Sequence, residues 1–195
     1  MNAFLTRAAD GLPRRAFTAA DIRHMADAGI LGENERFELV EGDLVMMSAK
    51  DYAHEIVRNA LTKAIGRALP SAIAMGAAMM FQFNDNTILE PDVAVFGRSS
   101  LVESAASFSH VARGDLLFVI EVAASSLAYD RGPKARLYAR HRVREVWVVD
   151  ANERITWIHT GPNADSWSSI VERGPSETLI TPALPNFKIK LGEID

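Results

Sequence analysis

The chain has 195 residues, of which 48% are hydrophobic and 24% charged, and a net charge of −4. That length and balance suit one folded domain with a proper core, residues 1–195, and exclude collagen-like and disordered classes. The absence of cysteine excludes a disulfide scaffold and any thiolate-bound metal and agrees with a reducing, cytoplasmic location.

The N-terminal residues 1–7 lack a basic start followed by an apolar core, so no signal peptide is expected. No stretch approaches the roughly 20 apolar residues of a membrane span, so no membrane partner is expected. A negative net charge counts against tight, non-specific nucleic-acid binding over the whole surface but leaves room for a local basic patch.

Residues 1–16 read as a loose lead-in. Thr18 is a candidate N-cap with Asp21 in the capping-box position. Ile22, Met25 and Ala26 give a helical stripe, and Gly32 is the expected stop. Residues 36–48 read as a hairpin turning at Glu41-Gly42-Asp43. In its first strand Phe37, Leu39 and Glu41 share one face, while Arg36, Glu38 and Val40 share the other. Apolar residues at helical spacing predict a helix from His54 to Leu69, capped by Asp51 and stopped by Pro70. Residues 72–84 read as a strand pair or one long bent strand. Asn84-Asp-Asn86 is a turn, and residues 87–96 form a strand interrupted by Pro91. The serine-rich residues 97–114 suggest a surface connection.

Leu116–Ala123 is an apolar run rich in branched and aromatic residues, the signature of a strand covered on both faces. Residues 125–132 read as a loop, with Pro133 in the first turn of a helix running to about Arg142. Further strands are expected at Glu145–Asp150, Arg154–His159, Trp167–Val171, Glu177–Ile180 and Pro185–Gly192. Asn152-Glu153 and Gly161-Pro162-Asn163 are the expected turns. Together these elements predict an α/β fold leaning toward α+β, with a mixed β-sheet core.

Three polar residues break their local patterns. Asp92 follows a proline in an apolar strand, Glu121 sits inside the strongest strand, and Lys134 opens the next helix. A buried carboxylate needs a partner. Two carboxylates on neighbouring strands can hold a hard divalent cation through oxygen, and a lysine beside them can orient water or stabilise phosphate charge. Taken singly, each residue has a bland alternative: a turn pair, a structural ion pair with an arginine, and a solvated helix lysine. Other chemistries have no support, because the sequence contains no phosphate-binding glycine loop, no Gly-x-Ser-x-Gly elbow and no His-Glu-x-x-His zinc pattern, and Ser125-Ser126 has no recognisable base.

The ordered set Glu90-Pro-Asp92 followed by Ile120-Glu-Val-Ala123 resembles the PD-(D/E)xK restriction-endonuclease-like superfamily. Residues 37–45, His54, residues 90–95, residues 117–122, Asp130-Arg-Gly-Pro-Lys134, Tyr138-Ala139 and residues 143–150 extend the likeness to the Uma-type restriction endonucleases, with a family-like core of about residues 18–160. The superfamily usually places a lysine two residues after the glutamate, where this chain has Ala123. In the Uma-type branch the lysine comes from the following helix.

The resemblance implies a restriction-endonuclease-like mixed sheet flanked by helices and a nuclease acting on DNA. It implies Mg2+ or Mn2+ held by Asp92 and Glu121, with Lys134 as the displaced motif lysine. Glu38 is the candidate for an additional acidic residue, with Glu41 its rival on the opposite strand face. His54 could touch a phosphate or a carboxylate, or serve only at the helix cap. Tyr138, one turn from Lys134, packs over the site or in the core.

Arg131, Arg136 and Arg140 belong to the densest basic cluster and are candidate DNA contacts, with a solvated helix face as the bland alternative. His24, His110, His141 and His159 read as structural or surface residues. Exposed strands allow a homodimer. Two other readings stand beside the nuclease: a catalytically inactive nucleic-acid-binding or interaction domain of the same fold, and a purely structural role for Glu121.

Overall fold

The computed structural model describes residues 5–7, 13–32, 35–47, 50–103, 109–111 and 115–194. Expectations for the start of the chain, for Ser48 and for the serine-rich 104–108 and 112–114 lie outside these residues. In chain order the elements are β1 (Leu5–Arg7), β2 (Pro13–Arg15), α1 (Ala19–Asp27), β3 (Phe37–Val40), β4 (Asp43–Met46), α2 (Tyr52–Ala68), β5 (Ile73–Ala77), β6 (Phe81–Asn84), β7 (Thr87–Leu89) and β8 (Val93–Gly97). They continue with β9 (Leu101–Glu103), β10 (Ser109–Val111), β11 (Leu116–Ala123), α3 (Leu127–Tyr129), α4 (Ala135–Arg140), β12 (Glu145–Asp150), β13 (Thr156–Asn163), β14 (Ser166–Arg173), β15 (Leu179–Thr181) and β16 (Leu184–Ile189). Two compact units result, one of residues 1–49, 80–90 and 102–110, the other of residues 50–79, 91–101 and 111–195.

In the first unit, part of the expected loose lead-in is ordered as the antiparallel pair β1–β2. Helix α1 begins with the capping box read from sequence: Thr18 and Asp21 each hold the other's backbone N–H. It stops at Ala28, earlier than Gly32. Gly29, at φ +68, is the left-handed residue, and bonds from Gly29 N to Ala26 O and from Ile30 N to Met25 O close a Schellman motif. Strands β3 and β4 form the expected hairpin, with Glu41 and Gly42 both at positive φ as a two-residue primed turn requires. Antiparallel β7 and β6 continue this sheet beyond β3. Ala19, Ile22, Leu39 and Ile88 make its core.

The second unit is built on a six-stranded mixed sheet in the order β14-β13-β12-β11-β8-β5. β11 lies near its centre, parallel to β12 and antiparallel to β8. It is buried along nearly its whole length, as its composition predicts. One sheet face carries Val93, Val95, Phe118, Ile120, Val122, Trp147 and Val149, and packs against Val57, Leu61 and Ile65 of α2. Period-two alternation therefore turns Val119, Glu121 and Ala123 to the other face. Helix α2 has the predicted cap and stop: the Asp51 side chain accepts the His54 N–H at 2.9 Å, and the helix ends before Pro70.

The segment after β11 differs from the loop expected over residues 125–132. The chain is already helical at Leu127, passes through a π-turn over Asp130–Lys134, and continues as α4. Pro133 lies inside this segment instead of in a first turn. Proline cannot donate and crowds the carbonyl four residues back, and a wider turn relieves that conflict.

The β13–β14 hairpin is also longer than expected. Gly161-Pro162-Asn163 belongs to β13, and the turn comes at Ala164-Asp165. Pro162 pairs with Trp167 of β14, whereas the pairing of β12 with β13 ends at Thr160. The missing N–H of Pro162 therefore falls beyond the last rung shared with β12. Among the described residues no helix is long and apolar enough to cross a membrane.

Candidate functional site

Asp92 is the last residue before β8, and Glu121 stands in β11. Val93 pairs with Ile120, so one further step of antiparallel register sets Asp92 beside Glu121. The Asp92 carboxylate confirms that adjacency, since its Oδ2 accepts the Val122 backbone N–H at 2.9 Å. Both carboxylates are buried, at 5% and 3% exposure.

Each is held by a lysine and by one further side chain. Asp92 Oδ1 meets Lys50 Nζ at 2.5 Å, and Oδ2 meets His54 Nε2 at 3.0 Å. Glu121 Oε1 lies 3.0 Å from Lys134 Nζ and accepts a hydrogen bond from the Tyr138 hydroxyl. Lys134 and Tyr138 are four residues apart on one helical face, as their spacing predicts. The π-turn just ahead of α4 sets which face that is. Tyr138 thus packs fully buried and also touches the site. His54 has both roles the sequence allows: its backbone is capped by Asp51, and its ring bonds Asp92. The other ring nitrogen, Nδ1, lies 3.3 Å from Glu55 Oε1.

Burial alone would push the Asp92 carboxyl up. The His54 hydrogen bond, together with the nearby Lys50 charge, outweighs burial and holds it well below the usual carboxylate range. Asp92 is therefore a carboxylate at any physiological pH. Lys50 is the residue that sequence reasoning missed. It precedes the α2 cap by one position, and no local pattern distinguishes it from a solvated lysine.

Glu38 belongs to the first unit. It is buried there, and its Oε1 accepts the Glu90 N–H at 2.8 Å, while Arg36 pairs with the Glu90 carboxylate. Glu41 is exposed at the hairpin turn. Of the two rivals, Glu38 is the one turned inward. Both faces of β3 are covered at Glu38 and Leu39, so the glutamate is buried alongside its apolar neighbour.

The arginine cluster is partly engaged elsewhere. Arg131 stacks over the Trp157 ring at 3.7 Å from its centroid, and Arg140 approaches Asp165 at 3.5 Å. Arg136 is exposed. His159 is structural: buried, with Nδ1 near the Val146 and Trp157 carbonyls, its imidazole pushed down by burial.

A divalent cation can be tested against these residues. Among the described residues no three His, Asp or Glu side chains gather into one ligand group. That does not suit a zinc centre of three protein ligands. Magnesium uses one or two carboxylates and completes its shell with water and phosphate oxygens. Asp92 and Glu121, adjacent and both oxygen donors, fit that requirement and Mn2+ equally.

A mixed sheet flanked by helices, with two buried carboxylates on neighbouring strands, defines a restriction-endonuclease-like α+β protein. The chain belongs to the Uma2 family, described as "Putative restriction endonuclease", whose profile matches residues 20–192. No curated protein matches it. Among solved structures it resembles one described as a putative nuclease belonging to DUF820 from Anabaena variabilis. The TM-score is 0.66 at 14% identity, covering 87% of this chain and 96% of the other.

Proposed function

We propose that the chain is a metal-dependent nuclease that hydrolyses DNA phosphodiester bonds. The observation that carries this reading is the hydrogen bond from Val122 N–H to the Asp92 carboxylate, which brings two buried carboxylates together at adjacent strand positions. Membership of the Uma2 family supports it.

Asp92 and Glu121 would hold Mg2+ or Mn2+, which when bound supplies Lewis acidity toward a phosphoryl oxygen and a more acidic water. The chain's own groups do the positioning. His54 and the Val122 N–H fix Asp92 Oδ2, and Tyr138 and Lys134 fix Glu121 Oε1. Lys134 also brings a positive charge to the place where phosphate charge would build, a stabilisation worth most in a water-poor site.

The test is cleavage of plasmid and single-stranded DNA with Mg2+, Mn2+ or chelator. Wild type should cut only with metal, and Asp92→Ala, Glu121→Ala and Lys134→Ala should each lose at least about a hundredfold in rate, the usual scale for one electrostatic catalytic group. Metal-independent cutting, or an active Glu121→Ala, would sink the reading.

A second reading, an inactive nucleic-acid-binding domain, draws on one observation: both carboxylates already carry a lysine partner, and Ala123 stands where the usual motif lysine would be. It predicts DNA retention without cleavage, unchanged by Glu121→Ala.

A further inference from the structure

A groove of about 620 Å³ runs between α2 and β16 on the second unit. Its floor is apolar: Ile56, Ala60, Ala64, Ile189 and Ile194. Its walls carry four cations, Lys63 and Arg67 from α2, Lys188 from β16 and Lys190 just past its end. Against them stands a single carboxylate, Glu193, 3.1 Å from Lys190. Lys63, Arg67 and Lys188 are exposed and make no ion pair with any described residue. In a chain of net charge −4 such a concentration of unbalanced positive charge is a local reversal, and mutual repulsion makes it costly unless an anion comes to it.

Its spacing is linear. Lys63 and Arg67 are one helical turn apart, about 6 Å at 1.5 Å per residue. Lys188 in β16 and Lys190, one residue past its end and still extended, are two residues apart, about 7 Å. Two such rows suit a polymer with evenly repeated negative charge. Apart from Asn59, every lining side chain is charged or apolar, a composition suited to contact with backbone phosphates. The arginine cluster after β11 is a weaker candidate, because Arg131 is spent on Trp157 and Arg140 lies close to Asp165.

We infer that the α2–β16 groove binds the phosphodiester backbone of a nucleic acid, as an anchoring surface separate from the Asp92–Glu121 carboxylates. The inference rests on the nucleic-acid reading above but not on cleavage.

The experiment measures fluorescence anisotropy of a labelled duplex and a labelled single strand, in chelator, across a salt series. It compares wild type with Lys63→Glu/Lys188→Glu, with the milder Lys63→Gln/Lys188→Gln, and with Arg14→Glu/Arg173→Glu, two exposed arginines outside the groove, as a charge-matched control. Thermal midpoints check that each variant is folded. The groove variants should bind about tenfold or more weakly, and the slope of log affinity against log salt should flatten by about 2, one unit for each lost phosphate contact. Wild-type binding in both groove variants overturns the inference and leaves the nucleic-acid reading standing. An equal loss in the arginine control assigns the effect to net charge and overturns it too. Displacement of the DNA by polyglutamate at lower concentration than by unlabelled DNA assigns the groove to an acidic peptide instead. A wild type that fails to bind either nucleic acid at low salt overturns both readings.

Discussion

Lys134 Nζ stands 3.0 Å from Glu121 Oε1, with both side chains almost wholly buried, although the lysine comes from the π-turn and helix after the strand and not from the strand itself. Ala123, two residues along β11 and on the same face as Glu121, is fully buried and leaves that face to the helix. A buried pair in this arrangement is costly to break from one side, because the remaining charge keeps its desolvation penalty. Lys134→Met alone should cost about 3–5 kcal/mol. Adding Glu121→Gln should recover part of that loss. Urea denaturation of both single variants and the double variant checks this through a double-mutant cycle. Strictly additive losses would show that the two groups are uncoupled.

Asp92 gives an acid-stability prediction. Its folded carboxyl is held below the ordinary value, burial notwithstanding, by His54 and Lys50. A depressed carboxyl contributes stability that is fully present above the unfolded value of about 3.9 and is lost as pH falls from there through the folded value. Lys50→Met removes part of that support, so it should be less stable than wild type by about 1.5–3 kcal/mol near pH 7, the scale of a hydrogen bond to a charged group. The gap should narrow as pH falls below about 4 toward the folded values, where the folded carboxyl protonates first in the variant that lacks the Lys50 charge. Thermal midpoints from pH 7 to pH 2 measure the narrowing; a constant gap would contradict it.

Glu145 has the opposite sign. Burial raises its carboxyl above the ordinary value, and hydrogen bonds from Trp147 and Thr181 only partly offset this. A raised carboxyl favours the folded state below the unfolded value, and the advantage is lost as pH rises through the folded value. Glu145→Gln keeps an acceptor for the Trp147 N–H and removes the buried charge. Its melting temperature should match wild type near pH 4 and exceed it at pH 8. A lower midpoint at pH 8 would mean that the ionised form is better satisfied than these bonds suggest.

The β3–β4 turn tests backbone geometry. Gly42 has φ +92, and a Cβ there would lie 2.4 Å from the Ala16 Cβ. Gly42→Ala should therefore lose at least about 1–3 kcal/mol from the strained backbone alone. Glu41, a non-glycine residue at φ +51, should respond the other way: Glu41→Asn suits the left-handed conformation and should stabilise by up to about 1 kcal/mol. Thermal denaturation of both variants decides.

Local patterns in the sequence determined a good deal. The capping box at Thr18 and Asp21, the bounds of α2 between Asp51 and Pro70, the turn at Glu41-Gly42 and the extent of β11 are all written within a few residues of where they act. Turn and cap chemistry is short-range. The contrast between Asp92, Glu121 and their apolar neighbours is equally local, which is why both carboxylates could be singled out. The ordered motifs across residues 36–150 also determined the family.

The partners of those carboxylates were decided by tertiary structure. Lys50 is 42 residues from Asp92 in sequence, and only the packing of α2 against the sheet brings its ammonium to the carboxylate. The π-turn at Asp130–Lys134 and the passage of β13 through Gly161-Pro162 both override residue types that locally signal a start or a turn. In each case the gain from burying an apolar face and completing a ladder exceeds a local preference worth about 1–3 kcal/mol. Residue type told which groups carry charge; only the fold's long-range register told which of them meet.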